Sequence, residues 1–304
     1  MSSIAPNPSY VTLPACDPPF PAMLDFLEMR FPKIGRDIWL SRLEQGKVTD
    51  DLGNVVTPDT PYRPNMRLRY YREVECEPDI PFQEKILFQN DQLLVVDKPH
   101  FLPVTPAGPY VKQCLLYRLK DTLGLEDLVP LHRIDRETAG LVMFSVNKAT
   151  RGRYHALFSS GTVKKVYYAL AALPTLPPSQ GKYLWQVRSR IVRGEPWFRM
   201  KNDDGPVNAI SRITLVETHN ALGVFRLEPL TGKQHQLRLH LTLIGSQILH
   251  DRYYPTLQPK RPDDFRKPLQ LLAKELRFSD PITGQVMTFC STYHLSDENF
   301  YDNA

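Results

Sequence analysis

Cysteine is scarce. The 304 residues hold four, Cys16, Cys76, Cys114 and Cys290. None forms a C-x-x-C pair, and none stands at zinc-site spacing from a histidine. That excludes a disulfide framework and a Cys/His metal centre as readings of the sequence. The four are expected to be free thiols in a reducing compartment. Long apolar runs are lacking too, and no stretch approaches the roughly 20 apolar residues that span a bilayer. The opening residues, MSSIAPNPSYVTLPACDPPF, have prolines throughout but no basic start and no apolar centre, so they do not read as a signal peptide. A cytoplasmic protein is the expectation. A strong charge of one sign is also missing. The formal net charge is +5, a mild basic excess compatible with an RNA partner but shared by many enzymes. No internal repeat or low-complexity tract stands out.

What is present is a globular composition. Hydrophobic residues make up 42%, enough for a folded core, and the length suggests one large domain with a small one. Residues 1–20 read as an extended, proline-rich lead-in. Regular structure is expected from about Pro21, where Met23, Leu24 and Leu27 fit one helical face. A second helix is predicted over Gly35–Glu44, with Ile38, Trp39 and Leu43 inward and Gly46 as its C-terminal stop. Two short strands around a turn follow near Val48 and Val55, then a strand over Arg67–Arg72. Residues 74–84 carry acidic residues and prolines and read as a linker. The larger domain, 85–304, begins with strands at Ile86–Phe88 and Leu93–Lys98. A helix is predicted over Thr150–Ser159 with Tyr154, Leu157 and Phe158 inward. Strands are predicted at Lys164–Leu170, Trp185–Val187, Ala209–Ile213 and Val224–Leu227. Strand runs with few long helices point to an α+β domain with a mostly antiparallel sheet.

The densest chemistry lies in His132-Arg133-Ile134-Asp135-Arg136-Glu137-Thr138-Ala139-Gly140-Leu141. A carboxylate sits in a turn-forming, basic run, and an apolar strand follows at once. A carboxylate held on an ordered loop beside guanidinium groups can act as a nucleophile or base. A salt-bridged surface turn fits the same residues.

These ten residues resemble the His-Arg-Leu-Asp-x-x-Thr-Ser-Gly-Leu motif of the RluA-type RNA pseudouridine synthases, with Ile134 for Leu and Ala139 for Ser. Further segments resemble that family in the expected order. Leu93–Pro106 resembles its first motif. Lys165-Val166-Tyr167 matches a Lys-x-Tyr element. Thr231-Gly232-Lys233-Gln234-His235-Gln236-Leu237-Arg238-Leu239-His240 matches Thr-Gly-Arg-x-His-Gln-Leu-Arg-Val-His, with Lys233 for Arg. Gly245–Tyr254 matches Gly-x-Pro-Ile-x-Gly-Asp-x-x-Tyr, with Gln247 for Pro and His250 for Gly. Leu269–Phe278 begins as Leu-x-Leu-His-Ala does, with Leu272 for His. The resemblance covers nearly everything from residue 20.

The resemblance implies a pseudouridine synthase fold and the isomerisation of uridine in ribosomal or transfer RNA. It implies Asp135 as the catalytic carboxylate, Tyr167 stacked on the target base or also assisting proton removal from its ring carbon five, and Arg238 paired with Asp135. No metal and no organic cofactor is needed for that reaction, and a monomer is expected. Arg133, Arg136, Lys164 and Lys233 are candidates for phosphate contacts, or else plain surface charge. Residues 21–75 resemble the alpha-L RNA-binding module of a ribosomal protein. There Arg42 and Lys47, with Arg30, Lys33 and Arg36, are candidate phosphate contacts, and a solvated basic face fits them too. Asn65 stands where the module usually has glycine, and asparagine tolerates positive φ. His132, His235 and His240 read as hydrogen-bonding structural residues. Two rivals remain. One is an RNA-binding protein without catalysis on the same fold. The other is a glycoside hydrolase, which normally needs two carboxylates across the scissile bond.

Overall fold

The computed structural model describes residues 3–32, 34–176 and 183–295. The chain forms two units: Met1–Pro78 with Pro106–Lys112, and Asp79–Thr105 with Gln113–Ala304.

In the smaller unit β1 (Ser3–Ile4) is followed by β2 (Ser9–Thr12), α1 (Met23–Arg30), α2 (Arg36–Glu44), β3 (Val48–Asp50), β4 (Arg67–Tyr70) and β5 (Glu73–Val74). β2, β4 and β3 make an antiparallel sheet in that order, and β1 pairs with β5. The first twenty residues therefore do more than lead in. Val11 and Leu13 enter the core with Leu27, Trp39, Leu43 and Leu68. Helix α2 buries Trp39 and Leu43, one turn apart, but Ile38 is 48% exposed, because a position adjacent to Trp39 points off that stripe. Asn65 has φ +65°, as its glycine-like place in the motif requires, and Gly46 (φ +67°) ends α2.

The unit boundary has a visible cause. Glu77 accepts hydrogen bonds from the Val111 and Lys112 amides (2.6 and 2.8 Å), and Arg72 donates to Gly108 O (2.5 Å). That ties 106–112 to the smaller unit. Arg118 donates to Ile80 O and Phe82 O (2.8 and 2.7 Å), so much of the expected linker belongs to the larger unit.

The larger unit runs β6 (Lys85–Gln89), β7 (Leu93–Lys98), α3 (Leu115–Leu123), β8 (Val129–Pro130), β9 (Ala139–Ser145), α4 (Arg151–Ser159), β10 (Lys164–Ala172), β11 (Leu184–Arg193), β12 (Met200–Asp203), β13 (Ala209–His219), β14 (Leu222–Pro229), α5 (Gln236–Leu243), β15 (Leu271–Ser279) and β16 (Val286–Cys290). Its strands form one sheet, ordered β12-β11-β13-β14-β10-β15-β9-β7-β6, with β8 on β9 and β16 on β15. The architecture is α+β and mostly antiparallel. Among the described residues the one parallel pair is β9 with β15, at Ala139↔Leu272 and Gly140↔Ala273. Gly140 (φ +109°) is needed at that joint, because a Cβ there would lie 2.2 Å from Ala273 O.

Helices α3 and α5 are not anticipated by the sequence reading. α5 lies against one sheet face, its Leu237 and Leu241 packed with Ala169, Val187, Ile213 and Phe225. Tyr167 packs on the edge of the same cluster. Tyr168, one residue on, faces the opposite cluster with Leu170 and Leu272, as strand alternation dictates.

Candidate active site

Asp135 sits on the loop between β8 and β9, and the Thr138 amide donates to its carbonyl (3.2 Å). Beneath the loop lies Lys98, at the end of β7 and fully buried. Its ammonium reaches Pro99 O (2.9 Å), Leu102 O (2.7 Å) and Arg136 O (3.1 Å). Three carbonyls match three N–H donors, and this fixes the loop's backbone. Burial opposes the charge and pulls Lys98 down to about 7. His100 Nδ1 lies 2.6 Å from Glu137 O, a second tie to the same loop. His132 Nε2 accepts the Met143 amide (3.1 Å) while its ring stacks on Phe158, and burial holds it neutral, at about 3.

From the other side α5 delivers Arg238. The helix starts at His235, which has φ +55°, and Gln236 locks the turn before it. Gln236 Oε1 accepts from Thr231 Oγ1 (2.7 Å) and Lys233 N (3.0 Å), and its amide donates to Ile210 O (3.0 Å) and Ser211 Oγ (2.9 Å). The Thr-Gly-x-x-His-Gln spacing is what this closed turn needs.

Arg238 makes its two-pronged ion pair with Asp251. Nε meets Oδ2 at 2.8 Å and Nη2 meets Oδ1 at 2.6 Å, with both side chains 1% exposed. Only Nη1 faces Asp135, 3.5 Å from Oδ2. Burial works against the guanidinium charge, but Asp251 first, then Asp135 and Glu137, together outweigh it and raise the pKa of Arg238. The rings of Tyr253 and Tyr254 flank the guanidinium at 4.8 and 5.2 Å. Asp251 also accepts the Tyr253 and Tyr254 amides (2.8 and 3.0 Å). Asp135 is 23% exposed, so it faces solvent while Asp251 does not. A bidentate, buried partner would have made Asp135 inert. A single long contact leaves its oxygens available.

His235 completes the ring of groups. Its Nε2 stands 3.8 Å from Asp135 Oδ2, and its Nδ1 stands 2.8 Å from the Tyr254 hydroxyl. Burial lowers its pKa and Asp135 pushes back. Tyr167 is half-buried. Burial, then the neighbouring Asp135 carboxylate, pushes its phenol up and keeps it protonated, which suits packing against a base better than proton removal. Lys165 reaches the Thr231–Lys233 turn: a Cβ on Gly232 would lie 3.5 Å from its Nζ.

Asp135, Tyr167 and Arg238 thus converge. The expected phosphate contacts divide. Arg133, Lys164 and Lys233 are exposed on the larger unit. Arg136 is already engaged, with Asp263 (2.8 Å) and Glu137 (3.1 Å). In the smaller unit Arg42 is 8% exposed, 3.4 Å from Glu73, with its guanidinium over Trp39. Lys47 pairs with the same Glu73 at 2.8 Å. Arg36 is held by Asp25 and Glu28. A phosphate would have to compete with these carboxylates. Lys33 lies outside the described residues. Sequence reasoning missed Asp251, Lys98 and the closeness of His235. Asp251 had a signal, the acidic position of the Gly-Asp-x-x-Tyr segment. Lys98 had one too, as a charge closing an otherwise apolar strand. Among the described residues no cluster of three His, Cys, Asp or Glu could hold a metal ion, and no helix is long and apolar enough to cross a membrane.

The family model for RNA pseudouridylate synthase matches residues 92–243, from β7 through the end of α5. That span holds the Asp135 loop, Tyr167 and Arg238, and it is half of the chain. The chain belongs to the RluA-type RNA pseudouridine synthases. The synthase is 30% identical over 238 residues to an uncharacterized RNA pseudouridine synthase of Synechocystis, covering 76% of this chain and 79% of that protein. It is 28% identical over 240 residues to the dual-specificity RNA pseudouridine synthase RluA of Haemophilus influenzae, covering 71% of this chain and 96% of the relative. Among solved structures, human RNA pseudouridylate synthase domain containing 1 superposes with a TM-score of 0.56 at 20% identity, over 72% of this chain and 86% of that one. That likeness concerns the fold. The synthase is accordingly an isomerase that acts on RNA.

Two departures from the family pattern meet in space. Ala139 (for Ser) and Leu272 (for His) are direct cross-strand partners in one apolar cluster. His250 (for Gly) keeps the left-handed backbone, at φ +64°, and its Nδ1 lies 3.0 Å from Pro268 O.

Proposed function

We propose that the chain converts uridines of ribosomal or transfer RNA to pseudouridine, with the Asp135 carboxylate as the reacting group. The observation that carries this reading is the split pairing of Arg238, bidentate to Asp251 and single to Asp135. It leaves an accessible carboxylate oxygen beside a protonated tyrosine and a fixed cation. The target uridine has to leave its stack to reach it, which costs a few kcal/mol and least in a loop.

Two routes fit the geometry. In one, an Asp135 oxygen bonds to ribose C1′ as the bond from C1′ to uracil N1 breaks, and the base leaves with the electron pair. The base turns, C5 displaces the carboxylate from C1′, and the C5 proton is lost. In the other, Asp135 removes the C2′ proton as uracil departs with the electron pair, giving a glycal; C5 then bonds to C1′ as Asp135 returns the proton to C2′, and the C5 proton is lost. In both, Tyr167 stacks on the uracil, and such stacking is worth roughly 1–3 kcal/mol. Arg133, Lys164 and Lys233 are the exposed cations we assign to phosphates. Asp251 is too buried to serve as the second carboxylate of a glycosidase. We place this work in the cytoplasm, where the free Cys16, Cys76, Cys114 and Cys290 stay reduced.

The test is release of tritium from RNA labelled at uracil C5, with total ribosomal RNA and total transfer RNA as separate substrates. Release from either supports the reading, and comparing the two assigns the RNA class. Release from neither leaves an RNA-binding protein on a synthase fold.

A further inference from the structure

Of the three tryptophans, Trp39 and Trp185 are 0% and 4% exposed, whereas Trp197 is 67% exposed, more than any other aromatic side chain among the described residues. It stands in the turn joining β11 to β12, and that turn is ordered. Gly194 N donates to Arg199 O (2.9 Å), and Arg199 N to Pro196 O (2.8 Å). An indole two-thirds exposed forgoes much of the burial that drives most tryptophans inward, so its exposure on an ordered turn needs an explanation.

Its surroundings supply one. Trp197 meets the Phe198 ring edge-on at 5.9 Å, Phe198 meets Tyr253 at 5.3 Å, and Tyr253 covers Arg238 at 4.8 Å. Arg238 in turn touches Asp135. The turn is also pinned to the site by polar bonds. Met200 N donates to the Tyr254 hydroxyl (2.8 Å), and Arg199 reaches Pro255 O (3.1 Å) with its guanidinium over Tyr254. Trp197 is therefore the most exposed member of a row of rings that leads to Arg238, beside the Asp135 carboxylate. Charge around it favours an anion. Within four residues of it along the chain, Arg193 and Lys201 are exposed and Arg199 is partly so, against one acidic residue, Glu195; the exposed Asp203 and Asp204 lie farther along. A flat apolar face amid cations, reached from the catalytic carboxylate through packed aromatics, has the chemistry of a single-stranded nucleic-acid platform.

We propose that Trp197 stacks on a second base of the RNA substrate, one outside the pocket of the target uridine. This rests on the synthase reading above. When the target leaves the strand its neighbours lose a stacking partner, and an indole at the rim offers a replacement face. The turn's cations meet the intervening phosphates. The platform tolerates any base, so it adds affinity and holds the loop open without reading sequence.

The experiment uses the full chain, with Trp197→Ala and Trp197→Phe. Binding is followed by intrinsic tryptophan fluorescence with single-stranded oligouridylate as the probe, and turnover by tritium release from the active RNA class. In wild type, oligouridylate should quench the solvent-exposed emission and shield it from iodide. Trp197→Phe should lose that quench, because the two remaining indoles are buried. Trp197→Ala should weaken RNA binding by about five- to a hundred-fold, mostly as a higher KM, and Trp197→Phe should recover most of it. Iodide access to Trp197 that RNA leaves unchanged, together with wild-type KM in Trp197→Ala, would overturn the proposal. So would a concentration-dependent dimer that Trp197→Ala dissolves, since the indole would then be a protein contact. Quenching by oligouridylate without tritium release from any RNA would keep the platform and remove the reaction.

Discussion

Arg238 grips Asp251 with two hydrogen bonds of 2.8 and 2.6 Å and touches Asp135 with one contact of 3.5 Å. The buried pair holds the cation, and the exposed carboxylate borrows its field. Asp251 is thus a positioning residue. It sets where the guanidinium stands and keeps it from closing over Asp135.

Asp251→Asn should separate these roles. It leaves Arg238 buried without its neutralising charge, a loss that commonly costs about 3–5 kcal/mol. The guanidinium is then expected to turn fully onto Asp135 and disable it. Urea unfolding should show the stability loss. Tritium release in the variant should show kcat down by about tenfold or more with KM less affected, as for an interaction that matters to reaction rather than binding. A normal kcat in a destabilised but folded variant would mean that Asp251 serves stability alone.

The Ala139–Leu272 pair calls for a double-mutant cycle. Leu272→His alone buries a polar ring in an apolar cluster and should cost about 1–3 kcal/mol. Ala139→Ser alone should cost less. Together they restore the Ser and His of the family pattern on facing positions, and the coupling is expected to be favourable by about 0.5 kcal/mol or more. Additive losses would show that the two departures arose independently.

Histidine titration sets a pH window for stability. Burial holds His132 at about 3, and His100 and His240 at about 4, against about 6.5 in an unfolded chain. Each depressed value means that the unfolded chain takes up protons first as pH falls. Stability from these groups is complete above about pH 6.5 and declines as pH drops toward 4. Denaturant midpoints measured across that range should fall steadily, and His132→Gln should flatten part of the slope. A flat profile down to pH 4.5 would contradict the buried, neutral assignment.

Much of this was legible in the sequence, for local reasons. Asp135 sits in a run whose turn residues, cations and following apolar strand all lie within ten positions. Tyr167 and Tyr168 could be assigned to opposite faces from strand alternation alone. Asn65 announced its backbone by standing in a glycine's place. Helix α5 was hidden because Leu237, Leu239, Leu241 and Leu243 alternate with polar residues as a strand would. The helix is buried on more than one side, Leu237 and Leu241 against one cluster and Leu239 against another, so its apolar residues carry no single stripe. The competition for Arg238 was hidden for a different reason. Asp251 is thirteen residues along the chain from Arg238, and only folding decides which of two carboxylates gets the bidentate geometry. Salt bridges also hid the fate of Arg42 and Lys47, whose shared partner Glu73 lies a strand away.

The most direct measurement is Asp135→Asn, assayed at once for tritium release and for affinity to the same RNA. The substitution keeps shape and one acceptor oxygen but removes the carboxylate. Tritium release should fall below detection while RNA affinity stays within about threefold of wild type, a free-energy change under about 0.7 kcal/mol. Isomerisation at the wild-type rate in that variant would contradict the assignment of the reaction to this carboxylate.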